Sequence, residues 1–338
     1  MSEKTVDEDL FNDDATFGEI FDRDSKDYLI VHLDVLGYKD FVEINGEKEL
    51  FASIRKGWMF AKALFDPELT MADGSTVSYE VKLRMFTDNI FISVELEGDG
   101  RDEMRVTLTI NILAHLQNSI MDHSNLLLRG AITYGKCYID DFILGKPFIE
   151  AFELESKKAI WSRIIISEKV LTHIPQKFVN TLVKKDEKGL FQLDYLRIVI
   201  EFTHSMSGIT SSETLLKHKG SVLKITRNTL NDDRFLSIET IGDAIKILKI
   251  TKKYHLLTKY HNDLCEEYGC EDAKMEDVEW SDTLLEQYES LTNHITEARS
   301  PKEIDEISKI LLQIKNSYGK IIEPIIAHNA KYGSGKSK

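Results

Sequence analysis

The chain has 338 residues, 42% of them hydrophobic, which is enough for one large domain or two smaller ones with a substantial core. Its formal net charge of -14 argues against nucleic acid or an anionic membrane surface as the main partner, because both reward clustered Lys and Arg. No run approaches the ~18 apolar residues of a membrane span, and the acidic N-terminus is unlike a signal peptide, so we expect a cytoplasmic protein. The three cysteines lack zinc spacing and are expected to be reduced thiols.

Composition predicts four segments along the chain. Residues 1–26 form an acidic arm, which is either frayed or docks its phenylalanines on another protomer. A folded domain is expected over residues 27–205, a mainly helical C-terminal subdomain over 206–332, and a disordered tail over 333–338. No internal repeat is evident.

The first half of the folded domain begins with residues 28–33, which suit a buried strand. Gly37 permits a tight turn after it, and residues 39–65 then show helical spacing that is interrupted near Asn45 and Gly46. Residues 77–94 contain two strands joined tightly near residues 87–89. The pattern therefore predicts strand, two helices and a hairpin.

The second half alternates helix and strand. Apolar residues four apart predict a helix over residues 104–122, followed by a strand over 126–139, a helix over 148–160 and a strand over 163–167. This order predicts an α+β fold, with helices on one face of a mainly antiparallel sheet.

Beyond residue 170 the pattern loosens. We interpret residues 191–202 as a strand and the chain from about residue 240 as helical. Ser300, Pro301 and Glu303 together mark a helix start. This helical part is expected to serve packing or dimerisation.

Two carboxylates occupy the turns of the predicted sheet. Asp34 ends the first strand, and Asp88 lies in the hairpin. Either one alone is explained as well by an ordinary turn. If the strands are neighbours, the two side chains meet and form an oxygen-rich site for hard divalent cations. The N–H groups of residues 36–41 would begin a helix beside it, where anions are stabilised.

Four motifs in order resemble the catalytic domain of class III nucleotidyl cyclases, over roughly residues 27–170. The family's metal strand is similar to Asp34-Val-Leu-Gly37-Tyr38, and its aspartate hairpin to Phe86-Thr87-Asp88. Its next strand resembles Arg129-Gly-Ala-Ile132-Thr-Tyr-Gly135, and its last helix resembles residues 145–155.

The resemblance implies a class III cyclase-like, ferredoxin-like sheet and a two-metal reaction. Asp34, Asp88 and the carbonyl of Val35 would hold two Mn²⁺ or Mg²⁺ ions. A homodimer with its sites at the interface is also implied. The substrate-binding residues expected from the resemblance and the helix start are Leu36, Gly37, Tyr38, Lys39, Phe41, Arg84 and Lys157.

Departures from the purine cyclases narrow the resemblance. Arg84 and Phe142 stand where those enzymes select the base, and Ile149 and Glu153 stand where an Asn and an Arg steady the transition state. Including residues up to 262, the chain looks most like the pyrimidine cyclases of bacterial Pycsar anti-phage systems. That resemblance implies conversion of UTP, or in some members CTP, to a cyclic monophosphate that activates a separate effector.

Three other readings stay open from the sequence. The chain could be a non-catalytic nucleotide sensor that lost turnover with Ile149 and Glu153. It could be a relative of the polymerase-palm diguanylate cyclases, although it lacks their Gly-Gly-Asp/Glu-Glu-Phe hairpin. The C-terminal helices could also be the functional part, as a partner platform on an N-terminal scaffold.

Overall fold

The computed structural model describes residues 24–64, 68–70, 76–78, 80–140, 142–230, 241–275 and 302. The predicted arm and tail lie largely or wholly outside this part of the chain, as does nearly all of the helix expected from Ser300. The chain divides into two compact units. The first comprises residues 1–120 and 127–198, and the second comprises residues 121–126 and 199–338. The predicted domain boundaries stay a prediction.

All strands in the described part of the chain belong to the first unit. In chain order they are β1 (Lys26–Leu36), β2 (Glu68–Thr70), β3 (Thr76–Ser78), β4 (Val81–Phe86), β5 (Asn89–Leu96), β6 (Leu127–Ile139), β7 (Ile143–Leu144), β8 (Ile164–Ile166), β9 (Val183–Lys185) and β10 (Phe191–Leu193). The helices are α1 (Tyr38–Asn45), α2 (Glu47–Leu64), α3 (Asp102–Ser124), α4 (Lys146–Lys158), α5 (Glu168–Leu171), α6 (Gln176–Leu182), α7 (Tyr195–Ser207), α8 (Ser211–Leu230) and α9 (Ile241–Glu267).

One eight-stranded sheet organises the first unit. Its order is β4, β5, β1, β6, β8, β10 and β9, with β7 beside β6. The pairings are antiparallel except for β6 with β8, which is parallel. The α+β class predicted from the sequence is therefore confirmed. The segment predicted to open the hairpin contributes instead to a separate pair, in which β3 lies beside β2.

Strand β1 lies at the centre of the sheet, between β5 and β6. Successive residues of a strand point to opposite faces, and Leu29, Ile30, Val31 and Leu33 are all buried. Helix α4 covers the face of Ile30, where Ala151 joins the apolar cluster. Residues on both faces of β1 are thus buried, and α4 lies on one of these faces.

Gly130 of β6 explains how closely β1 and β6 approach. A Cβ on Gly130 would overlap the carbonyl oxygen of His32 and would lie 2.6 Å from Cδ2 of Leu33. Only glycine fits between these backbones, and the register pairs Gly130 with Leu33 and Arg129 with Asp34. Gly130 therefore brings the side chain of Arg129 beside that of Asp34.

The strand predicted over residues 191–202 is wrong beyond Leu193. Helix α7 begins at Tyr195, and the N–H of Ile198 donates to the carbonyl of Asp194. Nε of Arg197 also donates to the carboxylate of Asp194 at 2.8 Å. The buried apolar residues of this helix are β-branched in part, and a short apolar run of this kind reads equally as strand or buried helix.

The second unit is helical where it is described. Helix α8 packs with α9, and a single 3₁₀ turn, Glu271–Ala273, follows α9. Asp122, near the end of α3, belongs to this unit and accepts a hydrogen bond from Ser221 at 2.8 Å. Among the described residues, no helix is both long and apolar enough to cross a membrane.

Candidate functional site

Asp34 and Asp88 come together at one end of the sheet. Asp34 pairs across β1 and β5 with Asn89, the residue that follows Asp88. The N–H of Val35 donates to the carbonyl of Asp88 at 2.8 Å. The neighbouring strands required by the two-carboxylate hypothesis are therefore present, and Val35 lies beside both aspartates.

A two-residue turn presents Asp88. Thr87 has a φ of 55°, a left-handed conformation that a β-branched residue rarely adopts. Its hydroxyl is 2.8 Å from Oδ1 of Asp88 and also 2.6 Å from the carbonyl of Phe86. Nδ2 of Asn89 donates to the same Oδ1 at 2.9 Å. The turn therefore fixes one oxygen of the Asp88 carboxylate.

Asp34 is held by an arginine that is itself shared. Nε of Arg129 lies 2.7 Å from Oδ2 of Asp34 and 2.8 Å from Oε1 of Glu155. The side chain of Glu155, on α4, is 5% exposed and that of Asp34 is 15% exposed. One guanidinium thus faces two carboxylates, with Asp88 close by, so the site keeps an excess of negative charge.

Helix α1 starts directly beside Asp34. Gly37 precedes it with a φ of 83°, and Phe41 N–H makes the first bond of the helix, to the Gly37 carbonyl. The N–H groups of Tyr38 and Lys39 stand in the first turn, where a helix offers no internal acceptor. Gly37 and Lys39 are exposed, while Leu36, Tyr38 and Phe41 are half-buried. The predicted phosphate-binding backbone is therefore at the same end of β1 as Asp34.

Arg84 lies on β4, the edge strand. Its Nη2 donates to the carbonyl of Asp140 at 2.8 Å, linking the hairpin to the end of β6. Phe142, the other position expected to face the base, is 69% exposed. The described contacts thus bring Arg84 near the start of the loop that contains Phe142.

Lys157 is not brought to the carboxylates. Its Nζ lies 2.8 Å from Oε1 of Glu153, and its side chain is 66% exposed. Two residues along α4 from Glu155, it points about 200° away from the side that meets Arg129. Ile149 is also exposed. The role predicted for Lys157 stays a prediction.

The donor atoms available at this end of the sheet fit a hard cation. Among the described residues, no hydrogen bond or ion pair reaches Oδ1 of Asp34 or Oδ2 of Asp88, so each carboxylate keeps one open oxygen. Within the same residues no group of three or more His, Cys, Asp and Glu side chains could hold a metal. Mg²⁺ is commonly bound by one or two carboxylates, with substrate phosphates and water completing its shell. Two carboxylates beside the start of a helix match that pattern.

Three residues around the site were missed as functional. The sequence indicates Glu155 only as part of a helix motif, and His32 and Asn89 only as strand and turn residues. His32 is 4% exposed, and its Nε2 lies 2.9 Å from Oδ1 of Asn89. Burial lowers the pKa of His32, although the hydrogen bond with Asn89 opposes this. A histidine two residues before Asp34, on the same strand face, was the available signal.

The site is thus a carboxylate pair at one end of the strands of an α+β sheet. No family profile matches the sequence, and no curated protein matches it significantly. The adenylyl cyclase CyaB from Pseudomonas aeruginosa is similar at 14% identity, with a TM-score of 0.35, over 50% of this chain and 94% of its own. A class III adenylyl cyclase-like ATP-binding protein from Pseudomonas aeruginosa has 13% identity and a TM-score of 0.33, over 52% of this chain and 40% of its own. At this similarity function rests on the residues themselves.

Proposed function

We propose that this chain is a nucleotidyl cyclase that converts UTP to 3′,5′-cyclic UMP and pyrophosphate. The observation that carries the proposal is the placement of Asp34, on β1, next to the turn that contains Asp88 and beside the start of α1. A carboxylate pair and a helix N-terminus at one place suit a metal-bound triphosphate.

In this proposal the chain binds and orients a nucleoside triphosphate. Asp34, Asp88 and the Val35 carbonyl hold the cations, and the N–H groups of residues 36–41 bind the terminal phosphates. When bound, two Mn²⁺ or Mg²⁺ ions would lower the pKa of the ribose 3′-hydroxyl and neutralise the phosphates. The 3′-hydroxyl would give up its proton to water, its oxygen would form a bond to the α-phosphorus, and the bond from that phosphorus to pyrophosphate would break.

Arg129 supplies the cation nearest the reacting phosphate. It is 25% exposed and contacts Asp34 only through Nε, so its other nitrogens can turn to a phosphate oxygen. A cation on Asp34 would weaken that ion pair and release the guanidinium. Arg129 would thereby take the place of the missing transition-state arginine.

Arg84 is the residue proposed to meet the base or ribose. Arg84 and Phe142 are neither the residue pair expected for adenine nor the pair expected for guanine. This difference supports a pyrimidine base. CTP is the alternative substrate, because uracil and cytosine differ only by an amide or an amine at one edge of the base. The resemblance further suggests a cytoplasmic role in antiviral defence, in which the product activates a separate effector.

A homodimer is the assembly we propose. Apolar side chains near the site are more than half exposed, which is unusual for a surface without a partner. They are Phe86, Phe142, Leu144, Ile149 and Phe152. A second copy that covers them would place each site at the interface.

The alternative is a cyclase-like module that binds nucleotide without turnover. The ion pair of Lys157 with Glu153 favours it, because that pair turns the charge of α4 away from the carboxylates. Such a module would bind a triphosphate and metal, and no pyrophosphate would appear.

The test is incubation of the purified protein with Mn²⁺ and each of the four nucleoside triphosphates, with products identified by mass. We expect cyclic UMP from UTP. Asp34→Ala and Asp88→Ala should each abolish the product, while Asp263→Ala, at an exposed aspartate of α9, should keep it. Binding without pyrophosphate release would establish the alternative. Full activity in either site variant would refute the two-carboxylate assignment.

A further inference from the structure

Three side chains form a hydrogen-bonded chain that ends on Asp88. Nε2 of His32 lies 2.9 Å from Oδ1 of Asn89, and Nδ2 of Asn89 lies 2.9 Å from Oδ1 of Asp88. His32 and Asn89 lie on β1 and β5, the neighbouring strands that bring Asp34 close to the turn of Asp88. The chain therefore links the core of the sheet to the turn.

Chemistry fixes the direction of both hydrogen bonds. An ionised carboxylate only accepts, so the amide nitrogen of Asn89 must face Asp88. The amide oxygen then faces His32, and it also only accepts. Nε2 of His32 must therefore carry the hydrogen, and His32 is the donor that starts the chain.

The surroundings of His32 allow little else. Its ring packs on Phe148 and Phe152 of α4, with ring centroids 6.3 and 5.6 Å away. Nδ1 is buried and has no hydrogen-bond partner among the described residues. A hydrogen moved to Nδ1 would have no acceptor, and the Asn89 oxygen would lose its donor, so the Nε2–H form is the one that fits.

We propose that His32 is a positioning residue for Asp88. Its N–H holds the Asn89 amide, and that amide holds Oδ1 of Asp88, so that Oδ2 stays directed at the cation site. The inference rests on the proposed function for its cation, and it concerns residues of this chain alone. Groups that orient a metal ligand in this way commonly change metal affinity by about 10- to 100-fold when they are removed.

The test measures Mn²⁺ binding and requires no turnover. Free Mn²⁺ is followed by electron paramagnetic resonance in the presence of 3′-deoxy-UTP, which lacks the attacking hydroxyl. We expect His32→Leu to weaken Mn²⁺ binding about tenfold. His32→Gln, whose amide can supply the N–H, should restore binding to within about threefold of the wild type.

Thr109→Val is the matched control. It removes a buried hydrogen bond in the same unit, from the Thr109 hydroxyl to the Arg105 carbonyl, far along the chain from the turn. Mn²⁺ affinity should be unchanged in this variant. If His32→Leu fails to fold, Asn89→Ala cuts the same link at a half-buried position and should give the same tenfold loss.

Each outcome decides one question. Equal Mn²⁺ affinity in wild type and His32→Leu, or in wild type and Asn89→Ala, overturns the positioning role and leaves the proposed function standing. Failure of the wild type to bind Mn²⁺ with 3′-deoxy-UTP overturns both. Nitrogen NMR of the histidine rings, with the His32 signals assigned by their loss in His32→Gln, adds a measurement that needs no metal. A hydrogen found on Nδ1 of His32 would overturn this inference and leave the proposed function standing.

Discussion

Arg129 and Asp34 lie opposite each other on β6 and β1, and Nε of the arginine is 2.7 Å from Oδ2 of the aspartate. The same nitrogen is 2.8 Å from Glu155 on α4. One side chain thus connects two strands and a helix at the edge of the candidate site.

Arg129→Met should lower the free energy of unfolding by about 1–3 kcal/mol, because it removes the ion pair between Arg129 and the buried carboxylate of Glu155. Adding Glu155→Gln should recover a large part of that loss. The measurement is urea unfolding of the two single variants and the double variant. Additive losses in the double variant would show that the two side chains do not interact.

Thr87→Gly should stabilise the hairpin by about 1 kcal/mol, since glycine adopts a positive φ without strain. The variant also loses the hydroxyl at Oδ1 of Asp88, so we expect weaker Mn²⁺ binding together with the higher melting temperature. Thr87→Ser keeps the hydroxyl and the positive φ and should preserve Mn²⁺ binding. A lower melting temperature in Thr87→Gly would mean that the turn is not strained.

Gly130→Ala should prevent the close pairing of β1 and β6, because the added methyl overlaps the backbone of His32. Overpacking of this kind costs about 1–3 kcal/mol or more. Gly220→Ala is the matched control, because nothing lies within 4 Å of its added methyl in α8. The control should gain about 0.5–1 kcal/mol from helix propensity. Thermal unfolding of both variants measures the difference, and a stable Gly130→Ala would contradict the close approach.

His218 and His261 are buried against each other in the second unit. Their Nδ1 atoms are 3.0 Å apart, and Nε2 of His261 lies 2.9 Å from the carbonyl of Ala273. His261 must donate from Nε2, so its Nδ1 accepts from His218. A proton on Nδ1 of His261 would point at the hydrogen that His218 donates. This arrangement therefore holds only while His261 is neutral.

Acid should therefore destabilise the second unit. Burial lowers the pKa of both His218 and His261. For His261 the hydrogen bond to the Ala273 carbonyl opposes the lowering of the pKa, and nearby Lys219 adds to it. Below their ordinary value of 6.5 the unfolded chain takes up protons that the folded chain refuses, so stability is lost as the pH falls through that value. Helical signal on urea unfolding at about pH 7.5 and about pH 5.5 measures the slope.

His218→Asn tests this pair, because its amide keeps a donor near Nδ1 and does not titrate. We expect a smaller loss of stability on acidification than in the wild type. His204→Asn, at an exposed histidine of α7, should keep the wild-type loss. Burial also lowers the pKa of His115, to about 4, so some acid sensitivity should persist in every variant. An unchanged slope in His218→Asn would assign the effect elsewhere.

Apart from the short strands β2, β3 and β7, the order of strands and helices up to residue 167 could be predicted, because local pattern carries it. The apolar run before Asp34, the glycine after it and the hairpin around Asp88 can each be recognised from a few neighbouring residues. Pairing across the sheet carries no such local signal. The contact of Arg129 with Asp34 depends on a register set by Gly130, and the chain from His32 to Asp88 depends on two strands lying side by side.

The error at residues 191–202 has a physical cause. Where a helix is buried on several sides, its apolar residues lose the spacing that separates helix from strand. Tyr195 and Val199 are both buried in α7, and β-branched residues in the segment favoured a strand. Neighbouring elements decide the conformation here, and they are remote in sequence.

The central position of β1 has a consequence for synthesis on the ribosome. Asp34 meets Arg129 across 95 residues of sequence, and His32 meets Asn89 across 57. Strand β1 is therefore the first of the described strands to be synthesised, and both of its hydrogen-bonding edges stay unpaired until β5 and β6 have been translated. A nascent chain of this protein should need protection from aggregation until β6 has left the exit tunnel.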